Sequence, residues 1–428
     1  MIAAKPWRAA LLAAGLFLAA VAASAESPGT APIGANVEDL LVYARGRNPD
    51  YAAVRAQADA ARERVYPAGA FADPVLRTEL MDVTNAGTGA APNVLPGRVG
   101  STVYTLMQPL LFWGKRDLKR EVAQAEAEAA QGQAGVTWSQ LAASIKTTYA
   151  QYFAEARLIE LDREIIDLIG RLEGITRTRY ANGLVPQQDA IRVQVERSAL
   201  RTELIEAEAE QRRTAARLNA LLSRPAQAQL AEPQRLRPLP APAKLDYTSL
   251  AERVQAQNPQ LFADSAGIRA AEKNRDLTYR NRYPDFTVGV VPTQAGPRVS
   301  AWELMFEFNV PLQQETRRSQ EREAERKLDA ARARKEASAD QLLAELSQNL
   351  AAIDAAVRVS ALAQTSLLPE AELTFQAALA GYETGKVDFA TLLDAQRQIR
   401  NAKLDIIKAQ AEQQARLADV ERLIGEDI

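Results

Sequence analysis

From Trp302 to Val310 every second residue is apolar (Trp302, Leu304, Phe306, Phe308, Val310), while Glu303, Glu307 and Asn309 fall on the opposite side. A period of two marks an extended strand with one greasy and one wet face. Phe286-Thr-Val288-Gly-Val290 alternates in the same way, so the pattern predicts a hairpin with strands at about 286–292 and 299–310. Val75 to Val83 and Val99 to Pro109 alternate less cleanly and predict a second pair at about 75–83 and 99–109. The Gly/Pro/Asn-rich stretch Asn85 to Gly100 between them reads as a surface loop.

Elsewhere the period is helical. After each second strand comes a basic cluster, Lys115-Arg116 or Arg317-Arg318, and then a run almost free of helix breakers up to Gly183 or Gly385. Each run is about 65 residues, enough for a helix of roughly 100 Å. Leu343, Leu346, Leu350, Ile353 and Val357 alternate spacings of three and four, a coiled-coil stripe, and Ala-rich stretches such as Glu121 to Ala134 let neighbouring helices approach closely. Tyr-x-x-Gly ends each run as a glycine cap, and return helices follow at about Pro186 to Ser223 and Val387 to Ile424. A helix of moderate length, stopped by proline, opens each unit: roughly Val37 to Tyr66 and Tyr247 to Arg282.

These parts recur in order, which makes the chain a duplication. Asn48-Pro49 and Asn258-Pro259 stand 210 residues apart, and Tyr66-Pro67 and Tyr283-Pro284 stand 217 apart. Gln108-Pro109-Leu110 matches Val310-Pro311-Leu312, and Tyr180-Ala-Asn-Gly183 matches Tyr382-Glu-Thr-Gly385, both at an offset of 202. One such pair is weak evidence, but four in one order are not a chance similarity. The expected division is a leader at 1–25, a first repeat at 26–223, a Pro/Gln/Ala-rich linker at 224–245 and a second repeat at 246–428.

Composition narrows the function. The 428 residues carry a formal net charge of -2, so no global basic field attracts nucleic acid. Lys5 and Arg8, an apolar run from Ala9 to Ala22 and Ala23-Ser24-Ala25 read as a cleaved export signal, with the mature chain starting near Glu26. The run is shorter than the roughly 20 residues of a spanning helix. Cysteine is absent, so there is neither a disulfide nor a cysteine-borne lipid anchor; histidine is absent too, and the methionines are Met1, Met81, Met107 and Met305. No metal or cofactor site is therefore expected. Without His or Cys the common catalytic triads and zinc motifs cannot be built, and Gly381-Tyr-Glu-Thr-Gly385-Lys386-Val387 fails the phosphate-loop spacing. Glu and Asp alternate with Arg and Lys as on a solvated coil face, so catalysis is not expected.

The fold class is mainly α with a small β part. Four strands cannot close a barrel alone, and open strand edges are not tolerated in hydrocarbon. If the strands lie in a membrane, the protein must oligomerise; an exported chain with amphipathic strands points to a bacterial outer membrane.

The duplicated plan of helix, β-hairpin and helical hairpin resembles the TolC outer-membrane efflux family over essentially the whole mature chain. That resemblance implies a homotrimer with a 12-stranded barrel continued by a periplasmic tunnel of helices. The tips of the helices would meet a periplasmic adaptor (a membrane fusion protein) and an inner-membrane pump of the RND type. Ala72-Asp73-Pro74 and Gln108-Pro109-Leu-Leu-Phe-Trp-Gly114-Lys115-Arg116 look most like the CzcC/CusC-type heavy-metal branch. By the same resemblance, Gly183 and Gly385 mark tip turns for adaptor contact. Asp189 and Tyr382 would form an inter-hairpin latch at the periplasmic aperture, and Asp394 a three-fold acidic ring. Thr391 and Val387 stand where the family has a second ring acid and a latch arginine, which leaves at most one ring. An equally open reading makes Asp189 and Asp394 helix-start residues favoured by the dipole.

A periplasmic adaptor would be expected to show one hairpin flanked by long β-rich domains, and a coiled-coil scaffold would not explain Trp302 to Val310. The cargo is not legible in a wide duct without ligand residues. Heavy-metal cations are the first expectation and organic toxicants the second.

Overall fold

The computed structural model describes residues 33–87 and 89–428; the expected leader lies outside them. The first half runs α1 (Val37–Arg47), α2 (Pro49–Glu63), α3 (Val65–Ala68), β1 (Val75–Met81), β2 (Ser101–Leu110), α4 (Lys115–Ala181) and α5 (Gln187–Leu221). The second half runs α6 (Tyr247–Gln257), α7 (Pro259–Arg280), β3 (Phe286–Ala295), β4 (Arg298–Phe308), α8 (Gln314–Leu362), a π-helical turn (Ala363–Leu367), α9 (Leu368–Glu383) and α10 (Phe389–Ile424).

Two expectations about the helices need correction. The single opening helices are broken at Asn48-Pro49 and Asn258-Pro259, because the residue before proline is pushed out of the helical region: ψ is 121° at Asn48 and 125° at Asn258. Both asparagines gain a role from the break. Asn48 Oδ1 accepts from the Tyr51 N–H while its Nδ2 donates to Leu221 O, and Asn258 Oδ1 accepts from the Gln260 and Leu261 N–H groups while its Nδ2 donates to Leu423 O. Each therefore caps the start of one helix and satisfies a free carbonyl in the last turn of the return helix. Just past those last turns the chain takes positive φ at Ser223 (56°) and Gly425 (91°).

The second correction concerns the long helix of the second half, which is not continuous. Pro369 lacks an N–H, and one turn before it the helix widens so that the Leu368 N–H reaches Ala363 O, five residues back. The coiled-coil stripe also rotates. Leu346, Asn349, Ile353, Ala356 and Ser360 are buried while Val357 is exposed.

The four strands form one antiparallel sheet in the order β1-β2-β3-β4. In its register Leu76 faces Leu106, Leu106 faces Val290, and Val290 faces Leu304. Along β4, Trp302, Leu304, Phe306 and Phe308 share that face and are 61–74% exposed. Arg77, Glu79, Thr105, Thr287, Glu303 and Glu307 lie on the other. The strands end within a few residues of the predicted bounds, the largest difference being β3, which continues to Ala295. Both outer edges, on β1 and β4, are unpaired among the described residues.

Below the sheet, α4 packs against α2 and α7, and α7 against α8; farther on, α5 and α10 take the places beside α4, and α9 continues α8 beside α10. Gly132 is needed where α7 crosses, since a Cβ there would sit 2.8 Å from that of Ala263. Three apolar cores follow. Two lie where α1 and α6 meet the long helices, and the third, from Leu161 to Leu172 with Val193, Tyr382 and Phe389, fills the tip. No described helix is long and apolar enough to cross a membrane.

Candidate functional site at the helical tips

The two helical hairpins end in matching turns. Gly183 and Gly385 take φ of 69° and 75°, and the Leu184 and Lys386 N–H groups return to Arg179 O and Gly381 O. This is the glycine-capped helix end expected from Tyr-x-x-Gly. Val387 packs onto Gly381, where a Cβ would come within 2.6 Å of Val387 Cγ2. The residue standing in place of the family's latch arginine is therefore a packing residue.

Tyr382 is buried behind the second turn. Its hydroxyl donates to Thr176 Oγ1 (3.2 Å) on the first hairpin, its ring meets Phe389 edge-on at 5.4 Å, and the Arg179 guanidinium lies 5.1 Å from its centroid. Arg179 also donates to Glu383 O. Burial raises the Tyr382 phenol, the Thr176 bond pulls it back, and the Asp189 carboxylate raises it further. Asp189 and Tyr382 thus share one environment, but Tyr382 takes its hydrogen bond across the hairpins from Thr176.

Asp189 lies in the first turn of α5 and is 9% exposed. Burial raises its carboxyl, Arg192 opposes the rise, and Asp388 adds to it. The helix-start role that was open for Asp394 belongs instead to Asp388, whose Oδ1 accepts from Thr391 N–H (3.0 Å) and Thr391 Oγ1 (2.6 Å) and is held below the usual carboxylate range by them. Thr391 therefore completes a cap.

Asp394 is 68% exposed on α10, with Arg397 Nη1 at 3.6 Å. That arginine is committed to the first hairpin through a two-pronged pair with Glu196. One turn on, Arg400 reaches Asp162 (2.9 Å) on α4 and Glu203 (2.5 Å) on α5, and Lys403 meets Glu164 (2.9 Å). Asp162 is 1% exposed and its Oδ2 has no partner among the described residues. Beside it on α10, Gln396 is fully buried with neither amide atom partnered among them.

These three cations, spaced three apart on one face of α10, were missed by the sequence reading. Their spacing was visible, but a basic stripe equally fits a solvated face, and the partners lie about 200 residues or more away. Gln187, Ile191, Arg192, Glu196, Asp394 and Arg397 line an open groove of about 630 Å³ between the starts of α5 and α10. Its two acids and two arginines balance in charge. No group of His, Cys, Asp and Glu suited to a metal ion occurs among the described residues.

The chain is 26% identical over 403 residues to the cobalt-zinc-cadmium resistance protein CzcC of Cupriavidus metallidurans, covering 91% of this chain and 90% of that one. In fold it is similar to CusC (TM-score 0.79, 16% identity, 92% of this chain and 93% of the other). It is also similar to the outer membrane protein VceC of Vibrio cholerae (TM-score 0.77, 17% identity, 91% and 96%). The outer membrane efflux protein family matches residues 40–224 and 250–426, nearly all of both halves. The sheet with one exposed apolar face, the paired helical hairpins and this match agree: the chain belongs to the outer membrane efflux protein family.

Proposed function

We propose that three copies of this chain form a passive exit duct, a 12-stranded barrel in the outer membrane continued by a periplasmic helical tunnel. The observation that supports it most is that both lateral margins of one copy are open in the same sense. The sheet ends in unpaired β1 and β4. Below it, α5 flanks one side and the end of α8 with α9 the other, with exposed Ile191, Val195 and Ile205 on one margin and exposed Val359, Leu362 and Leu373 on the other. Margins that differ from each other call for a head-to-tail contact, and such contacts form a ring where the rotation between copies closes. A closed ring also satisfies the strand edges, which hydrocarbon requires.

In this reading 26–223 and 246–428 are the two efflux-channel repeats joined at 224–245, and the chain is exported by its leader. The tip turns at Gly183 and Gly385 meet a periplasmic adaptor, which couples the duct to an RND-type inner-membrane pump. Tyr382 and Asp189 sit inside the closed aperture as part of its packing, and Asp394 faces the passage. The name of the relative CzcC supports heavy-metal cations as cargo. A duct of this kind needs no catalytic group and selects little by coordination.

The test is the oligomeric mass of the purified protein in detergent together with its single-channel conductance in a planar bilayer. Steady cation-preferring pores from a trimer are expected. The Asp394→Asn variant should lose part of that preference, Arg397 already offsetting some of the charge. A monomer without conductance sinks the proposal and favours a periplasmic adaptor or scaffold.

A further inference from the structure

We infer that a ladder of arginines and aromatic rings on the outside of the duct, where α1 and α2 meet α4, docks the acidic glycopeptide of the cell wall, a statement that rests on the duct reading. The Arg45 guanidinium lies 5.2 Å from the Trp138 ring centroid, the Trp138 ring meets that of Tyr51 at 5.3 Å, and Arg55 lies 5.9 Å over Tyr51. Arg47 lies 5.0 Å over Tyr43 and donates to its hydroxyl (3.4 Å). The three arginines are exposed and the three rings half-buried. None of the three arginines enters an ion pair among the described residues. A guanidinium laid on a ring is fixed in place while its N–H edge stays free, and that edge is what takes a carboxylate with two prongs.

The fold does not need the ladder. At the offset of 210 that aligns Asn48 with Asn258, Arg45 and Arg47 match Gln255 and Gln257, Tyr51 matches Leu261 and Arg55 matches Ser265. The second half therefore builds the same helix break and the same shared cap without these arginines and rings. Cations on α6 and α7 are paired instead: Arg253 with Glu426, Arg269 with Glu128 and Lys273 with Glu121. The ladder of the first half serves something other than the common frame.

Its position and chemistry point to the cell wall. Trp138 and Tyr149 lie eleven residues apart on α4, close to three helical turns, so they share a face. The Tyr149 hydroxyl donates to Ala35 O (2.7 Å) and lies 3.2 Å from Arg235 O, so the segment before α1 and the linker between the halves both cross that face. Segments that cross the wall of a duct run outside it, since inside they would block the passage. Trp138 is 23 residues beyond the start of α4 at Lys115, which is about 35 Å along the helix and well past the roughly 5–7 Å headgroup layer of a bilayer. At that depth a duct running through the periplasm passes the peptidoglycan layer, a polymer of sugar rings and stem peptides that carry free carboxylates. The sugar faces suit the rings of Tyr43, Tyr51 and Trp138, and the carboxylates suit the three guanidinium edges.

The experiment mixes the full chain in detergent with insoluble cell-wall sacculi purified from a double-membraned bacterium and measures co-sedimentation. The unaltered chain should sediment with the sacculi. Combining Arg45→Gln, Arg47→Gln and Arg55→Gln, all at exposed positions, should lower the bound fraction about tenfold, as the loss of three charge-assisted contacts requires. Sacculi whose stem-peptide carboxylates have been converted to amides should bind the unaltered chain as weakly. The triple variant should keep its oligomeric mass and its conductance, because the rings under the arginines belong to one copy and face away from the passage. No sedimentation of the unaltered chain, equal sedimentation of the variant, or equal binding to vesicles of anionic phospholipid overturns the inference. A changed oligomeric mass also overturns it, by assigning the arginines to the contact between copies. A chain that conducts but ignores sacculi sinks this inference alone, whereas one that does not conduct sinks the duct reading.

Discussion

Removing Arg400 should loosen the tip more than any other single change on α10. Arg400→Met is close in length and keeps the apolar stem, but it leaves Asp162, 1% exposed on α4, without its cation. Breaking a buried pair from one side costs about 3–5 kcal/mol. At 1.36 kcal/mol per tenfold, the closed tip is disfavoured by about two to four powers of ten. The Glu203 arm, 45% exposed, contributes under about 1 kcal/mol of this. Most of the loss should return in the double variant Asp162→Leu with Arg400→Met, because an apolar pair replaces a buried ionic one at little or no cost. Arg397→Ala is the control: its guanidinium is 54% exposed and Glu196 keeps 12% exposure, against 18% and 1% for Arg400 and Asp162, so it should cost less than Arg400→Met. The assay is the open-state dwell fraction in single-channel records, with hydrogen exchange along α10 as an independent measure. The reasoning is refuted if Arg400→Met behaves like Arg397→Ala, or if adding Asp162→Leu brings nothing back.

Three further outcomes are expected. Asn258→Ala removes a helix cap worth about 1 kcal/mol and strands Leu423 O at about 1–3 kcal/mol, and Asn48→Ala should act likewise on Leu221 O; amide exchange at the starts of α7 and α2 should rise, and unchanged protection there would argue against the shared cap. Ser223→Gly should stabilise by about 1 kcal/mol, since Ser223 holds the positive φ that glycine holds at 425, while Gly425→Ala should destabilise, its Cβ meeting Pro259 Cδ at 2.9 Å; chemical unfolding midpoints decide both. Burial pushes the Glu155 carboxyl up to about 7, the Thr214 bond opposing and the Glu210 charge adding. Its folded value lies above the ordinary 4.5, so the folded chain binds the proton more tightly and stability falls as pH rises from about 4.5 to about 7; Glu155→Gln should flatten that window in unfolding measured against pH.

Much of the architecture was written in the sequence. The period of two from Trp302 to Val310 gave β4 and its exposed apolar face, because side chains on a strand must alternate. Runs with few helix breakers ending in Tyr-x-x-Gly gave the first long helix, the course of the second and both turns, because only glycine takes the positive φ of that cap without strain. The repeated Asn-Pro marked each break, although its meaning, a cap shared with a return helix, required Leu221 and Leu423 to arrive from more than 160 residues away. Pro369 was equally visible, but whether proline breaks, kinks or widens a helix depends on what packs beside it, and here that is a row of alanines.

The tip belongs to tertiary structure. Asp189, Tyr382 and Asp394 looked alike as polar residues near two turns; folding buried the first two and left the third in solvent. Arg397 and Arg400 looked alike as well, three residues apart on one helix. Only the approach of α4 and α5 left the head of one largely in solvent and drew the other onto a fully buried partner. Local pattern fixes what each segment becomes, since the backbone's needs are met within a few residues. Which charges are desolvated is decided by the neighbours, and that decides where the two hairpins are tied most firmly.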